Sequence, residues 1–287
     1  MARRRPPRPV SADDLLVRLG RLTAQAREGI ELQQARVELA EALQREMLPV
    51  ALPSVPGLRI AARYAPARDG LDIGGDWYDS FRLPDGSLGI SIGDVQGHDV
   101  EAAAFMGQVR IGLRAVAATA VGADPGEVLS RANDLLLSTD YDLFATCGFF
   151  RFDPVTWELQ SARAGHVASV WATADGRASI AEDEGGLPLG IQAAEEYPVT
   201  RRRLTTEGAF VLFTDGVVEG PAFPIEEGLE RVARVAHASV AAGADPGDLA
   251  ADVMQVAELT GHSDDAAVLV LQHDGAPPAA AAPAQGS

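Results

Sequence analysis

The sequence predicts an α+β domain built on antiparallel sheets, and two observations lead to that prediction. Short β-rich runs separated by turns begin at Leu58, and the helical segments occur in pairs between groups of strands. A doubly wound parallel sheet would instead show strict alternation of strands and helices. With 287 residues, 47% of them apolar, the chain is long enough to bury a two-layer core.

The chain divides into four segments. Residues 1–10 are rich in proline and arginine, and we expect a disordered tail there. Residues 11–48 form a predicted helical linker whose apolar stripe ends before Pro49. Residues 49–273 are the predicted main domain. Residues 274–287 are mostly alanine and proline, and they are predicted to form a second disordered tail.

The N-terminal helix carries its apolar residues on one stripe, and two interpretations of the stripe stay open. It has the spacing of a coiled-coil seam, which predicts a homodimer, although Gly20, Gly29 and the Gln33-Gln34 pair interrupt it. The alternative is a helix that packs on its own domain, because seams and core stripes look alike in a single sequence.

Periodicity and turn signals place the elements of the main domain. The predicted strands are 58–64, 88–92, 144–152, 159–164, 210–213 and 267–271, and the predicted helices are 100–118, 125–138, 226–242 and 246–259. Asp85-Gly86 and Asp175-Gly176 are typical of hairpin turns. Hairpins at these places favour antiparallel pairing.

Composition argues against several classes of protein. The net charge of −17, from 41 acidic and 24 basic residues, would repel nucleic acid from the folded body. We find no run of about 18 apolar residues that could span a bilayer. The single cysteine, Cys147, excludes an internal disulfide and suits a reducing compartment. We therefore expect a cytoplasmic protein without a nucleic-acid or membrane partner.

Acidic residues recur four times in one setting, at the end of an apolar run or in a glycine-rich turn. The four segments are Gly74-Gly75-Asp76, Gly93-Asp94, Thr214-Asp215-Gly216 and Ser263-Asp264-Asp265. Glycine after a strand allows a sharp turn, so these carboxylates can converge on one rim of a sheet. Converging carboxylates repel one another, and Mg²⁺ or Mn²⁺ would remove that penalty. The set predicts a metal site, although any single Asp-Gly pair is more typical of a turn or a helix cap.

The same segments resemble the ordered motifs of the bacterial SpoIIE/RsbU-type branch of the PPM (PP2C-like) protein phosphatases. The motifs are GGDWYD at 74–79, IGDVQGH at 92–98, AGH at 164–166, PLG at 188–190, FTDGVVE at 213–219 and DD at 264–265. Six motifs in order, over roughly residues 43–271, are far more specific than one short pattern. The resemblance implies an αββα sandwich, two antiparallel sheets flanked by helix pairs, with the N-terminal helix in front of it.

The resemblance also implies which residues hold two divalent cations, Mn²⁺ or Mg²⁺. The expected residues are Asp76, Asp94, the Val95 carbonyl, Asp215 and Asp264, with Asp79 and Asp265 in support. Asp94 is expected to bridge both cations, and the others divide between them. Two cations would lower the pKa of a shared water and orient a phosphoryl group for in-line displacement.

A water nucleophile agrees with what surrounds the cysteine, because no phosphate-cradling Cys-x5-Arg loop follows Cys147. The departing alkoxide needs a proton, and His98 or His166 could supply it; we place His98 in the catalytic set. A structural hydrogen-bonding role for each histidine, beside its glycine, is the favoured alternative.

Other details of the site stay open in the sequence. No phosphate-binding arginine is assigned. Asp99 stands where relatives usually have glycine, and it is predicted to cap the helix that begins near Val100. Trp77 and Tyr78 could flank the site, but aromatic residues beside a strand are more often core.

The function implied by the resemblance is hydrolysis of phosphoserine or phosphothreonine on a regulatory protein, by kinship a STAS-type anti-sigma-factor antagonist. The N-terminal helix occupies the place where this family receives its signal, so an upstream activator is expected there. The alternative is a catalytically weak binding module that sequesters a partner. A nucleic-acid-binding regulator led by the Arg-rich tail ranks last.

Overall fold

The computed structural model describes residues 12–66, 74–97, 99–139, 141–221, 223–261 and 264–275. Nearly all of the two predicted tails lies outside these ranges. The described residues form two five-stranded antiparallel sheets, with helices outside each sheet and a long helix in front. The expected sandwich and the N-terminal helix are therefore confirmed.

Six helices and ten strands lie within the described ranges. The helices are α1 (Ala12–Met47), α2 (Val100–Thr119), α3 (Pro125–Leu137), α4 (Asp215–Val218), α5 (Ile225–Ala241) and α6 (Pro246–Thr260). The strands are β1 (Leu58–Ala65), β2 (Trp77–Arg82), β3 (Leu88–Val95), β4 (Ala145–Asp153), β5 (Glu158–Ala164), β6 (Ser169–Thr173), β7 (Ala178–Ala181), β8 (Thr200–Arg203), β9 (Gly208–Phe213) and β10 (Ala266–His273).

The strands pair in two separate sheets. The first sheet has the order β1-β10-β9-β6-β7, and the second has the order β2-β3-β4-β5-β8. The predicted turns at Asp85-Gly86 and Asp175-Gly176 join β2 to β3 and β6 to β7, and Gly86 and Gly176 adopt φ of +87° and +86°. Glycine suits these turns because it enters the left-handed region without steric cost.

Three apolar layers hold the sandwich together. Helices α2 and α3 pack on the second sheet around Trp77, Phe105 and Phe149. Helices α5 and α6 pack on the first sheet, where the core consists mainly of valine and alanine. The two sheets meet through a third layer that includes Ile90 and Leu269. This layering fixes the two sheets face to face, so their ends form a shared rim.

Four strands and one short helix were not predicted: β2, β6, β7, β8 and α4. Each is six residues long or shorter. Strand β8 is Thr-Arg-Arg-Arg on a sheet edge, and strand β7 has four residues. Such segments lack the apolar alternation from which a strand is inferred, and only pairing with a neighbour makes them strands.

Helix α1 leaves part of its apolar stripe uncovered. Leu19 and Leu22, which lie on that stripe, are each more than half exposed. Its last residue, Met47, packs instead against the core beneath α2 and α3. These leucines therefore do not pack on the chain's own domain, which was one of the two interpretations of the stripe. None of the helices in the described ranges is long and apolar enough to cross a membrane.

Candidate metal centre

Four short segments meet at one end of the sandwich. Asp76 directly precedes β2, Asp94 lies at the end of β3, Asp215 opens α4 after β9, and Asp264-Asp265 precede β10. In antiparallel pairing, the start of one strand lies beside the end of its neighbour. The second sheet thus supplies the first two aspartates, and the first sheet supplies the others.

Asp76 and Asp94 face the space between the sheets. Their carboxyl groups hydrogen-bond each other, and the Thr214 hydroxyl donates to Asp76 Oδ2 at 2.6 Å. The same hydroxyl accepts from the Ala267 backbone N–H at 2.9 Å. Thr214 therefore ties Asp76 of one sheet to the strand end of the other. Asp76 is 1% exposed, so this link is shielded from water.

The carboxyl groups have raised pKa values because they are buried close to one another. Burial, followed by the charges of Asp215 and Asp264, raises the pKa of Asp94 to about 8. Burial and the Asp94 and Asp265 charges raise the pKa of Asp76 well above its ordinary range, against the Thr214 hydrogen bond, which lowers it. Burial and the Asp264 and Glu219 charges also raise the pKa of Asp215. Uncompensated carboxylates of this kind favour a bound cation.

The backbone approaches closely beside these carboxylates. The Val95 N–H donates to the Gly75 carbonyl at 3.3 Å. A Cβ added at Gly75 would lie 2.6 Å from the Val95 carbonyl oxygen and 3.1 Å from Asp94 Oδ1. Only glycine fits there, so Gly75 leaves open the space in front of two of the expected metal oxygens.

Asp264 and Asp265 divide into one exposed and one buried side chain. The Asp265 backbone N–H donates to Asp264 Oδ1 at 2.8 Å. Asp265 itself is 1% exposed and hydrogen-bonds Tyr64 of β1, whose pKa is raised by burial and by the charges of Asp76 and Asp265. Asp265 therefore lies behind the rim, and Asp264 lies on it.

The donor set fits divalent cations. Carboxylate and carbonyl oxygens are the ligands that Mg²⁺ and Mn²⁺ prefer, and their repulsion is relieved by positive charge. Within the residues that the structure describes, no three His, Cys, Asp or Glu side chains are already arranged as a finished metal site.

Asp79 does not join this group, contrary to the supporting role expected for it. Successive strand residues point to opposite faces of a sheet, and Asp79 shares the face of Trp77 and Phe81, towards α2. There it pairs with Arg110 at 3.2 Å and Arg114 at 2.6 Å. Its charge is already compensated, so it has no need of a metal.

The structure describes all but one of the other residues singled out in the sequence. His98 lies outside the described residues, so its proton-donor role stays a prediction. His166 is 5% exposed, with both ring nitrogens near protein partners. Trp77 is fully buried in the core, as favoured, and its ring fills the space beside Gly93. Asp99 caps α2 through the Ala102 N–H at 2.9 Å, as predicted.

Sequence reasoning missed the residues that hold three of the predicted aspartates in place: Thr214 at Asp76, Tyr64 at Asp265, and the arginine pair on α2 at Asp79. Thr214 sits inside a quoted motif, but its hydroxyl gives no periodic signal. Arg110 and Arg114 are spaced i, i+4 and therefore share a helix face, which could have identified them as partners of a buried acid. Tyr64 is identified only by the register of β1 against β10, which places it opposite Ala267.

Comparison with known proteins agrees with this geometry. The family model described as Stage II sporulation protein E (SpoIIE) matches residues 84–274. Phosphoserine phosphatase RsbU of Bacillus subtilis (strain 168) is 27% identical over 197 residues, 68% of this chain and 57% of the relative. The chain thus spans little more than half the length of that curated relative.

Solved structures show the same fold. The RsbU and RsbW domains of Rv1364c from Mycobacterium tuberculosis superpose with a TM-score of 0.71 at 33% identity, over 81% of this chain and 64% of that one. The SiaA-PP2C domain of Pseudomonas aeruginosa superposes with a TM-score of 0.66 at 22% identity, over 88% of this chain and 99% of that one. Because the family model covers about two thirds of the chain, this protein belongs to the SpoIIE family of PP2C-like phosphatase domains.

Proposed function

We propose that the protein is a metal-dependent protein phosphatase that hydrolyses phosphoserine or phosphothreonine. The observation that carries the proposal is the set of aspartates, from both sheets, that share one rim and raise one another's pKa values through burial and mutual repulsion. Membership of the SpoIIE family supports the same reaction.

The proposed ligands are Asp76, Asp94, the Val95 carbonyl, Asp215 and Asp264. Two divalent cations, when bound there, would supply Lewis acidity towards the phosphoryl oxygens and a water nucleophile at neutral pH. The chain's own residues hold the site in shape: Thr214 fixes Asp76, and Gly75 leaves room in front of Val95. Asp265 and Tyr64 support the rim from behind.

We further propose a phosphorylated STAS-type anti-sigma-factor antagonist as the substrate. The similarity to RsbU, and to a protein in which RsbU and RsbW domains occur together, supports a partner-switching context. The exposed leucines of α1 favour an activator or a second copy of this chain as the partner of that helix. The chemistry of the rim does not depend on which of these applies.

The test is turnover of p-nitrophenyl phosphate and of a phosphoserine STAS protein by the purified chain, with Mn²⁺, Mg²⁺ or EDTA. Turnover that requires a metal and is lost in Asp94→Asn supports the proposal. The second candidate, a binding module, is favoured instead if the metal-loaded protein binds the phosphorylated partner tightly but releases no phosphate from either substrate.

A further inference from the structure

A buried histidine joins the two sheets next to the aspartate rim. His166 follows β5 and is 5% exposed. Its Nδ1 lies 2.9 Å from the Thr146 hydroxyl on β4 of the second sheet. Its Nε2 lies 3.1 Å from the Phe213 carbonyl oxygen on β9 of the first sheet. The imidazole ring therefore spans the space between the sheets with one nitrogen on each.

The chemistry of the two partners fixes the tautomer. A carbonyl oxygen can only accept, so Nε2 must carry the hydrogen and donate to Phe213. Nδ1 then accepts from the Thr146 hydroxyl. Burial lowers the pKa of His166 to about 4, which keeps the ring neutral near pH 7. A ring whose only N–H is held by a backbone carbonyl is a poor proton donor to a leaving group.

The two anchors of His166 are neighbours of the expected metal ligands. Thr146 is the cross-strand partner of Asp94 in the pairing of β3 with β4. Phe213 directly precedes Thr214, which donates to Asp76, and Asp215, which opens α4. A shift of either anchor would therefore move a ligand on its own sheet relative to the ligands on the other.

The turn that carries His166 is itself held in place. Gly165 has φ +64°, and a Cβ there would lie 2.6 Å from Pro188 Cγ, so glycine is required. Arg163 donates to the His166 carbonyl at 2.8 Å and also to the Asp183 carbonyl. The side chain thus enters the sheet interface from a fixed backbone, which is the condition for it to act as a spacer.

We propose that His166 is a positioning residue that sets the spacing of the two sheet ends, and through it the distance between Asp94 and the Thr214-Asp215 segment. This inference rests on the proposed metal-dependent phosphatase function. Apolar side chains alone would permit the sheets to slide, whereas a satisfied polar bridge in a low-dielectric interior specifies one arrangement.

The test compares three single variants, one double variant and a control by the Mn²⁺ concentration that half-activates turnover. Thr146→Val and His166→Gln each remove the Thr146 contact, while glutamine keeps a donor for Phe213. His166→Phe removes both contacts. We expect each of the first two to raise the half-activating Mn²⁺ concentration by about threefold, and His166→Phe by about tenfold or more, as outer partners of metal ligands commonly do.

The double variant Thr146→Val/His166→Gln should be no worse than either single variant, because both remove the same hydrogen bond. His237→Gln, on the exposed side of α5, is the matched control and should leave the metal dependence unchanged. The melting temperature of each metal-free variant reports folding. If His166→Phe does not fold, Thr146→Val with His166→Gln decides the question.

Folded variants that lose stability but keep the wild-type Mn²⁺ dependence would overturn the inference, because a purely structural histidine predicts that pattern. Failure of the proposed function has a different signature: the wild-type chain would then show no metal-dependent turnover at all. The two failures are therefore distinguishable in a single set of assays.

Discussion

Asp76 and Asp79 are two buried aspartates three residues apart, with opposite surroundings. Asp76 is 1% exposed and lies among other carboxyl groups, and its pKa is raised by burial and by the charges of Asp94 and Asp265. Asp79 is 0% exposed and receives hydrogen bonds from Arg110 and from two nitrogens of Arg114. Both side chains are fully buried, but the charges next to them have opposite signs.

Strand geometry explains the contrast. Three residues along a strand reverse the face, so Asp76 points between the sheets and Asp79 points towards α2. A buried charge needs a partner on whichever face it occupies. On the helix face, the chain supplies that partner itself. On the rim, it supplies more negative charge, which leaves a place for cations from solution.

The largest expected effect is on turnover. Asp76→Asn should reduce metal-dependent phosphate release by roughly 10³-fold or more, because metal contributions to transition-state stabilisation amount to several kcal/mol. Asp79→Asn should retain turnover within about fivefold per folded molecule, a difference of about 1 kcal/mol. Steady-state kinetics on both variants, corrected for the folded fraction, measure these losses. Equal losses of activity in the two variants would contradict the contrast between Asp76 and Asp79.

The second effect is on stability, and here the substitution at Asp79 is the damaging one. Asp79→Asn should lower the free energy of unfolding by about 3 kcal/mol, because it leaves two arginines facing a buried site without their counter-charge. Urea unfolding monitored by circular dichroism measures this. Asp85→Asn, which breaks the more exposed pair with Arg151, is the control and should cost less than about 1 kcal/mol. Equal losses would remove the structural role assigned to Asp79.

The third effect is a gain in stability at the rim. The folded-state pKa of Asp94 is raised to about 8. An ordinary aspartate has a pKa of about 4. Protonation of Asp94 therefore contributes to the free energy of unfolding below that pH, and the contribution is lost as the pH rises through the folded-state pKa. Asparagine cannot ionise. Asp94→Asn should therefore stabilise the metal-free protein by at least about 2 kcal/mol at pH 8, with an upper limit of about 5 kcal/mol set by the full shift, and by little at pH 4.

Thermal unfolding in EDTA at the two pH values measures that gain. Adding Mn²⁺ should raise the melting temperature of the wild-type protein and have less effect on the variant. If Asp94→Asn is less stable than the wild type at pH 8 without metal, the rim carboxylates do not destabilise the folded state by repulsion.

The smallest effect concerns the backbone beside the rim. Gly75→Ala places a Cβ within 2.6 Å of the Val95 carbonyl oxygen. It should weaken Mn²⁺ binding by about tenfold, the lower end of what disturbed surroundings of metal ligands produce. Gly86→Asn is the matched control, since its Cβ would meet nothing within 4 Å and asparagine tolerates positive φ. Equal metal affinity in both variants would argue against the Val95 carbonyl as a ligand.

The long, periodic elements and the repeated acidic motifs could be predicted from the sequence. The β1, β3, β9 and β10 segments are apolar runs that end at turns, and the sequence alone puts Asp94, Asp215 and Asp264 at the ends of such runs. Their meeting at one end follows from antiparallel pairing, which the hairpin turns indicated.

Asp79 could not be placed correctly because β2 was not recognised as a strand. In its sequence, Trp-Tyr-Asp-Ser-Phe-Arg, the charged Asp79 lies between Trp77 and Phe81 on one face and breaks the apolar alternation by which a strand is recognised. Thr214 and His166 were harder still. Their roles are contacts between sheets, across gaps of 138 residues for Thr214 with Asp76 and 47 for His166 with Phe213. No local pattern encodes such pairs.

The most direct test of the account is isothermal titration of Mn²⁺ into the wild-type chain, Asp76→Asn and Asp79→Asn, all confirmed as folded. The account predicts that Asp79→Asn binds Mn²⁺ like the wild type and that Asp76→Asn binds at least about tenfold more weakly. Wild-type affinity in Asp76→Asn, or a loss of affinity confined to Asp79→Asn, would contradict it.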